Sequence, residues 1–200
     1  MKKSYKTVPV EKLELGEDGR RRREIKEYFV DDFEEFDLYK KFIQYMLEHS
    51  DFFSLIYFKE RENSPVRKSV RQLRDQLRKF KLYSMNTMEW PNTKTFDTRH
   101  IYNMAFYYAD MECLDILCQV RCFYDWDYPD APMDLCFYRD GYCLFAATAH
   151  EEMYYLYTDD KETVNELTQL GAVLTFMKDE SKVFHIDLSN KLKKYEKRFK

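Results

Sequence analysis

The fold of this chain is decided by one hairpin signal, Leu135-Cys136-Phe137-Tyr138-Arg139-Asp140-Gly141-Tyr142-Cys143-Leu144-Phe145. Two aromatic-rich runs flank Asp140-Gly141, and Asp-Gly is typical of the type I′ turn that joins antiparallel strands. A turn centred on that dipeptide pairs Tyr138 with Cys143. A third strand signal at residues 153–157 predicts that the hairpin extends into a three-stranded meander.

Further strand and helix signals lie on both sides of this meander. Residues 99–109 leave two interpretations open, and their aromatic content and the turn at residues 90–93 favour a strand over a helix. The whole pattern predicts an α+β fold, with a mainly antiparallel sheet and helices packed on it. Beyond the meander, the sequence predicts strands at 52–58, 80–88, 99–109, 172–176 and 183–188, and helices at 31–49, 64–78, 110–122 and 159–171.

The polar composition of the two ends suggests three regions. Residues 1–30 are predicted to be an N-terminal helical arm that is polar and poorly ordered, because they are rich in charge and include the run Arg20–Arg23. Residues 31–188 are expected to form a single α+β domain. Residues 189–200 read as a basic C-terminal helix or tail.

Length and composition exclude several classes of protein. The chain has 200 residues, of which 18% are aromatic and only four are glycine. The aromatic content excludes a disordered chain, and the scarcity of glycine disfavours Gly-rich phosphate loops. No apolar run is long enough to span a membrane, and no secretion signal is visible, so we expect a cytoplasmic protein that has no membrane partner.

The cysteines read as reduced thiols, since an odd number without a signal peptide is not typical of a disulfide scaffold. Cys136, which the turn places opposite Phe145, and Cys143 are expected to be diagonal neighbours on one face of the hairpin. Two buried thiols are favoured there over a redox pair. The five cysteines are Cys113, Cys118, Cys122, Cys136 and Cys143.

Charge is distributed unevenly along the chain. Residues 61–100 carry ten basic and four acidic side chains, residues 101–188 carry five and seventeen, and residues 189–200 carry six and one. Four arginines recur at helical spacing in the predicted helix 64–78 and share one face. Solvation, salt bridges to the acidic half and binding to a partner remain open for them. The candidate partner-binding residues are Arg67, Arg71, Arg74 and Arg78, with Tyr155 and Tyr157 from the aromatic strands.

Two weaker constellations could carry chemistry. His150 with Glu151 or Asp134 could act as a general base, but a turn histidine bonded to the backbone or to a carboxylate is favoured. Asp125, Asp127, Asp130 and Asp134 could hold a divalent cation, but the EF-hand glycine and glutamate are missing at the required positions. The sequence predicts no cofactor and no metal.

Several segments resemble, in their order, a group of uncharacterised small bacterial proteins, some of which carry the label stage III sporulation protein AH. The resemblance covers roughly residues 50–175, and it implies a bacterial, cytoplasmic protein without transferring any catalytic residue. The segments that carry it are Glu89-Trp90-Pro91-Asn92-Thr93, Leu114–Leu117, Tyr124-Asp125-Trp126, Pro132–Tyr138 and Ala149-His150-Glu151.

The function that these patterns favour is binding, not catalysis. We expect a non-enzymatic module with a regulatory, immunity or accessory role that binds another protein or a second copy of itself. The alternatives are a small enzyme that uses His150 with nearby carboxylates, and a nucleic-acid binder that uses the arginines of helix 64–78.

Overall fold

The computed structural model describes residues 14–15, 21–31, 33, 35–59, 67–96 and 101–199. The predicted α+β architecture is confirmed over these residues. The strands are β1 (Glu14–Leu15), β2 (Arg21–Val30), β3 (Phe52–Lys59), β4 (Lys81–Thr87), β5 (Glu89–Trp90), β6 (Thr93–Lys94), β7 (Ile101–Tyr108), β8 (Met133–Arg139), β9 (Tyr142–Thr148), β10 (Met153–Thr158) and β11 (Leu174–Lys182). The helices are α1 (Phe36–His49), α2 (Lys68–Gln76), α3 (Leu114–Leu117), α4 (Lys161–Leu170) and α5 (Ser189–Phe199).

One antiparallel sheet organises the described residues. Its strands run in the order β1-β2-β10-β9-β8-β3-β7-β4, and β11 pairs with β2 as a further neighbour. Strands β5 and β6 form a separate two-stranded hairpin. The ambiguous segment is a strand over its described part, β7, and this strand pairs with β4. Residues 99 and 100 lie outside the described residues.

The sheet has a hydrophobic core on each face, because strand residues alternate between the two sides. Helices α1, α2, α3 and α4 cover the first face, where residues such as Phe42, Leu73 and Leu167 are buried. The β5–β6 hairpin, the segment before α5 and α5 itself cover the second face, where Trp90 and Leu188 are buried. Both faces are apolar, which explains why so many strands of this chain are aromatic throughout.

The central hairpin forms as predicted at its turn and departs from the prediction further along. Asp140 and Gly141 both have positive φ, and Tyr138 pairs with Cys143. A register shift between Phe137 and Tyr138 then places Cys136 opposite Ala146 and not opposite Phe145. The prediction for that pair is wrong because the sequence gives no sign of the bulge.

The N-terminal region differs most from expectation. Arg21–Val30, assigned from sequence to a poorly ordered helical arm, is a ten-residue strand with β10 on one edge and β11 on the other. Ile25 and Val30 bury their side chains on opposite faces, so the strand is held by both cores. The expected arm at residues 1–13 and 16–20 lies outside the described residues.

Two helices are shorter than predicted. Helix α1 begins at Phe36 and not at Asp31, whose amide donates to the Val173 carbonyl just beyond the end of β2. The helix predicted over 110–122 ends at Leu117, although Asp110 caps its first turn as a capping residue should. The predicted start of α2 at Ser64-Pro65 lies outside the described residues.

The last two predicted strands also change. The strand expected at 172–176 is β11, which runs from Leu174 to Lys182. Residues 183–188 form no strand and make only an isolated bridge between His185 and Tyr142. Asp187 ends this segment by accepting a hydrogen bond from the Ser189 amide at the start of α5. Of the two alternatives for the basic C-terminal segment, a helix or a tail, the structure shows a helix, α5.

Candidate functional site

Asp134 is the one weak catalytic candidate that the fold buries. It lies in β8 with φ of 55° and no exposed surface. The Trp90 indole N–H donates to its Oδ2 at 2.7 Å, and the Ala149 amide donates to its Oδ1 at 3.0 Å. Both carboxylate oxygens are therefore used to hold the β5–β6 hairpin and the turn after β9 against the sheet.

Burial gives this carboxyl group an unusual proton affinity. Desolvation raises the pKa of Asp134 to about 6, while the hydrogen bonds from Trp90 and Ala149 and the nearby His150 lower it, and Asp127 raises it slightly. A perturbed carboxyl group is a feature of many active sites. Here the hydrogen bonds give it a structural role.

His150 does not form a hydrogen-bonded pair with Asp134. It sits in the short 3₁₀ turn Ala149–Glu151, and its Nε2 lies 3.7 Å from Glu151 Oε1. The His150 and Glu151 side chains are exposed, whereas Asp134 is enclosed. The structure thus places the three predicted residues near one another without joining Asp134 to the histidine.

We expect Asp134 to make stability depend on pH. Its pKa is about 6 in the folded protein against 3.8 for the free side chain, so the folded state binds more protons between those values. Asp134 makes its full contribution to the free energy of unfolding below about pH 4. This contribution is lost as the pH rises through 6, and the total loss is roughly 3 kcal/mol. Urea unfolding of the wild type and of Asp134→Asn, measured from about pH 4 to pH 7, checks this.

Asparagine is the suitable comparison because it tolerates positive φ and cannot titrate. It loses one acceptor, which shifts stability equally at every pH. The stability of Asp134→Asn relative to the wild type should therefore increase as the pH rises across this interval. Parallel profiles would show that Asp134 keeps an ordinary pKa.

Each of the four aspartates proposed as metal ligands interacts with a different partner. Asp125 accepts from the Arg121 amide, Asp127 accepts from the Tyr128 amide, and Asp130 forms an ion pair with Arg67. Asp134 is buried against Trp90. Within the described ranges, no three His, Cys, Asp or Glu side chains are grouped as a metal site would require.

The predicted arginine stripe is present on α2 and the 3₁₀ turn that follows it. Val70, Leu73 and Leu77 are buried, which turns the arginines outward. Arg67 pairs with Asp130. The other three side chains are exposed and have no ion pair with any residue that the structure describes; they are Arg71, Arg74 and Arg78.

A second basic segment reaches the same edge of the sheet. Helix α5 packs on the second face, and the Lys191 ammonium lies 5.3 Å from the centre of the Tyr83 ring of β4. Further along, Tyr195 stacks on Tyr108 at 4.7 Å. Helix α2 packs on the first face, and the 3₁₀ turn that follows it leads directly into β4, while α5 contacts β4 from the second face. We call α2, β4 and α5 together the basic edge.

The sequence did not predict the basic edge as one surface. The positive charge of residues 61–100 and 189–200 was visible, but residues 101–188 separate the two segments. Only the position of β4 at the end of the sheet brings them together. The charge pattern showed that both segments are basic, but it did not show that they lie at the same edge of the sheet.

The two tyrosines proposed for partner binding lie elsewhere. Tyr155 and Tyr157 are in β10, on the far side of the sheet from β4. Tyr157 is buried, and its hydroxyl donates to Asn92 Oδ1 at 2.7 Å. Tyr155 is half-buried and packs edge-on against Phe29. The structure therefore does not combine these tyrosines with the arginines in one surface.

All five cysteines are free thiols, as the sequence predicts. Cys136 and Cys143 are buried, and their thiols donate to the carbonyls of Asp134 and Phe145. Burial raises the pKa of Cys136 well above its usual range. A protonated, enclosed thiol is a poor nucleophile, so Cys136 serves as a packing group.

Comparison with known proteins yields no match to a protein-family model, to a curated protein or to a solved structure. The resemblance to the small bacterial proteins stays a prediction. Among the helices that the structure describes, none combines the length and apolar character needed to span a bilayer.

Proposed function

We propose that this protein binds another protein, and that its basic edge accepts an extended acidic segment of that partner. The observation that carries the proposal is the convergence of two cationic helices on β4. In the described part of the chain, β4 pairs only with β7 and ends the sheet. Its other edge therefore offers backbone N–H and C=O groups to a partner strand.

Charge complementarity selects the kind of strand that would bind. Arg71, Arg74 and Arg78 lie on α2 and on the 3₁₀ turn that leads into β4, and Lys191 lies over the Tyr83 ring of β4. Cations that flank an open strand edge steer acidic chains to it and repel basic ones. Arginine also forms paired hydrogen bonds with carboxylates, which fixes the register of a bound segment.

A protein partner fits this surface better than a nucleic acid does. The whole chain has a net charge of −3 and a pI of about 5.9, and residues 101–188 are strongly acidic. A long polyanion would meet that repulsion beyond the basic edge. An acidic strand is short, and it gains backbone hydrogen bonds that a nucleic acid cannot make.

The same proposal includes a bacterial, cytoplasmic setting and a regulatory, immunity or accessory role. Five free thiols support a reducing compartment. The engagement of both Asp134 oxygens by Trp90 and Ala149 supports binding over acid–base catalysis at this place. The catalytic alternative would need a substrate cleft beside His150.

We expect charge reversal on α2 to weaken partner binding at least tenfold. The double variant Arg71→Glu/Arg74→Glu changes two exposed side chains, so folding should be unaffected while repulsion replaces attraction. The measurement is affinity recovery from cells of the source organism at low and moderate salt, with mass spectrometry of the recovered proteins and circular dichroism of each variant.

The matched control is Lys41→Glu/Lys161→Glu, which makes the same change of charge on α1 and α4. These helices pack near the centre of the sheet and away from β4. A stoichiometric protein that is lost from the α2 variant and kept by the control supports the proposal. Equal recovery by both variants, or recovery of nucleic acid alone, contradicts it.

A further inference from the structure

A polar pocket lies on the second face of the sheet, away from the basic edge. The β5–β6 hairpin forms one wall, and β2, β10 and β11 form the other. Its volume is about 300 Å³, at the small end of the range for ligand sites. The residues that give it chemical character are Glu27, Glu89, Asn92, Lys94, Tyr157 and Lys178.

The walls of this pocket are held in place by buried hydrogen bonds. Trp90 is almost fully enclosed and is bound to Asp134, which fixes the hairpin on the sheet. Tyr157 donates its hydroxyl to Asn92 Oδ1 at the tip of the hairpin. Burial raises the pKa of Tyr157 well above its usual range, so the hydroxyl keeps its proton and remains a donor. The Asn92 carbonyl is thus occupied, while its Nδ2 group retains N–H donors for a ligand.

Charges of both signs line the pocket. The Glu27 side chain is only 12% exposed, and the Lys178 ammonium lies 3.7 Å from its Oε2 and is 58% exposed. Glu89 and Lys94 face each other across the β5–β6 hairpin. The lining therefore contains two carboxylates and two ammonium groups, with one carboxylate deep in the pocket and the lysines toward solvent.

We propose that this pocket binds a small zwitterion of the α-amino-acid class. A ligand ammonium would bind the Glu27 carboxylate, and the ligand carboxylate would bind Lys178 and the Asn92 amide. The size of the pocket suits such a molecule, and the balanced lining suits its zero net charge. Trp90 and Tyr157 are too deeply buried to offer a stacking surface to a sugar or a nucleobase.

The test uses the twenty standard L-α-amino acids as probes, each added at roughly 10 mM to the ¹⁵N-labelled full chain. We expect at least one to shift the backbone amide signals of Asn92, Thr93 and Lys178 and to raise the melting temperature by about 3 °C. Ethylamine, acetate and glucose are the control probes. Because each lacks one or both charges, they should bind at least tenfold more weakly.

Two variants separate ligand binding from folding. Glu27→Gln keeps the size of the side chain and removes its charge, so the affinity should fall at least tenfold. Lys178→Gln changes a side chain that is 58% exposed, and it should weaken binding of the ligand carboxylate. Glu162→Gln on α4 is the matched control and should bind as the wild type does.

Three outcomes would overturn the inference. One is the absence of any shift with all twenty amino acids. Another is equal binding of ethylamine, acetate or glucose, which would make the charge pair irrelevant. The third is unchanged affinity in Lys178→Gln, and this result is decisive even where Glu27→Gln does not fold.

Discussion

Replacing Phe123 with alanine is expected to lower the free energy of unfolding by about 4 kcal/mol. Phe123 has no exposed surface, although it lies in the irregular chain between α3 and β8. Removing its ring leaves a cavity at the centre of the first core, where the surrounding rings cannot all move inward. The rings that contact it are those of Phe33, Tyr39, Phe42, Phe145 and Tyr154.

The neighbouring residue supplies the control for this prediction. Tyr124 is 53% exposed, so Tyr124→Ala should change stability by less than about 0.5 kcal/mol. Chemical unfolding of both variants under one set of conditions gives the comparison. Equal effects of the two substitutions would mean that the segment 118–132 does not pack as described.

The second large effect is expected at the turn of the central hairpin. Gly141 has φ of +80°, and a Cβ atom there would lie 2.7 Å from the Ile186 carbonyl oxygen and 2.9 Å from His185 Nε2. Gly141→Val thus combines an unfavourable backbone conformation with a collision against the segment before α5. We expect a loss of about 4 kcal/mol and a melting temperature lower by roughly 10 °C.

Asp140→Gly tests the same turn without a collision. Asp140 also has positive φ, which glycine adopts freely, and its amide can still donate to Asp51. This variant should be close to the wild type in calorimetry, whereas Gly141→Val should not be. An unshifted melting temperature for Gly141→Val would refute the hairpin and its contact with residues 185–186.

Local chemistry explains which parts of the fold could be predicted from sequence. Asp140-Gly141 predicted the turn, and Asp160 and Gly171 begin and end α4 as capping residues do. These signals act within a few residues. The register shift beside Tyr138 is set by packing across the sheet, so no neighbouring residue announces it.

Long-range packing explains what the sequence did not predict. Residues 21–30 read as a polar arm, yet pairing with β10 and β11 makes them an inner strand. Phe123 and Trp126 lie outside every predicted helix and strand, yet both are fully buried, and the Trp126 indole donates to the Tyr39 hydroxyl. In each case the partner lies far away in sequence, and only the folded chain identifies it.

The candidate sites show the same contrast between local spacing, which the sequence predicts, and long-range packing, which it does not. The spacing of Arg67, Arg71, Arg74 and Arg78 predicted one exposed face of α2, because helical periodicity is a local property. That α5 would flank the same strand, or that Glu27 would line a pocket beside Asn92, depends on sheet order. The contact of Tyr157 with the β5–β6 hairpin, where its hydroxyl donates to Asn92, depends on the same long-range packing.

Amide hydrogen exchange of β4 in the recovered complex tests the central claim most directly. A partner strand that pairs with the open edge would protect amides within Lys81–Thr87 that are not bonded to β7, and the exchange of β10 would stay as it is in the free protein. The account predicts this protection, together with its loss in Arg71→Glu/Arg74→Glu. Unchanged exchange in β4, with protection confined to another surface, would contradict it.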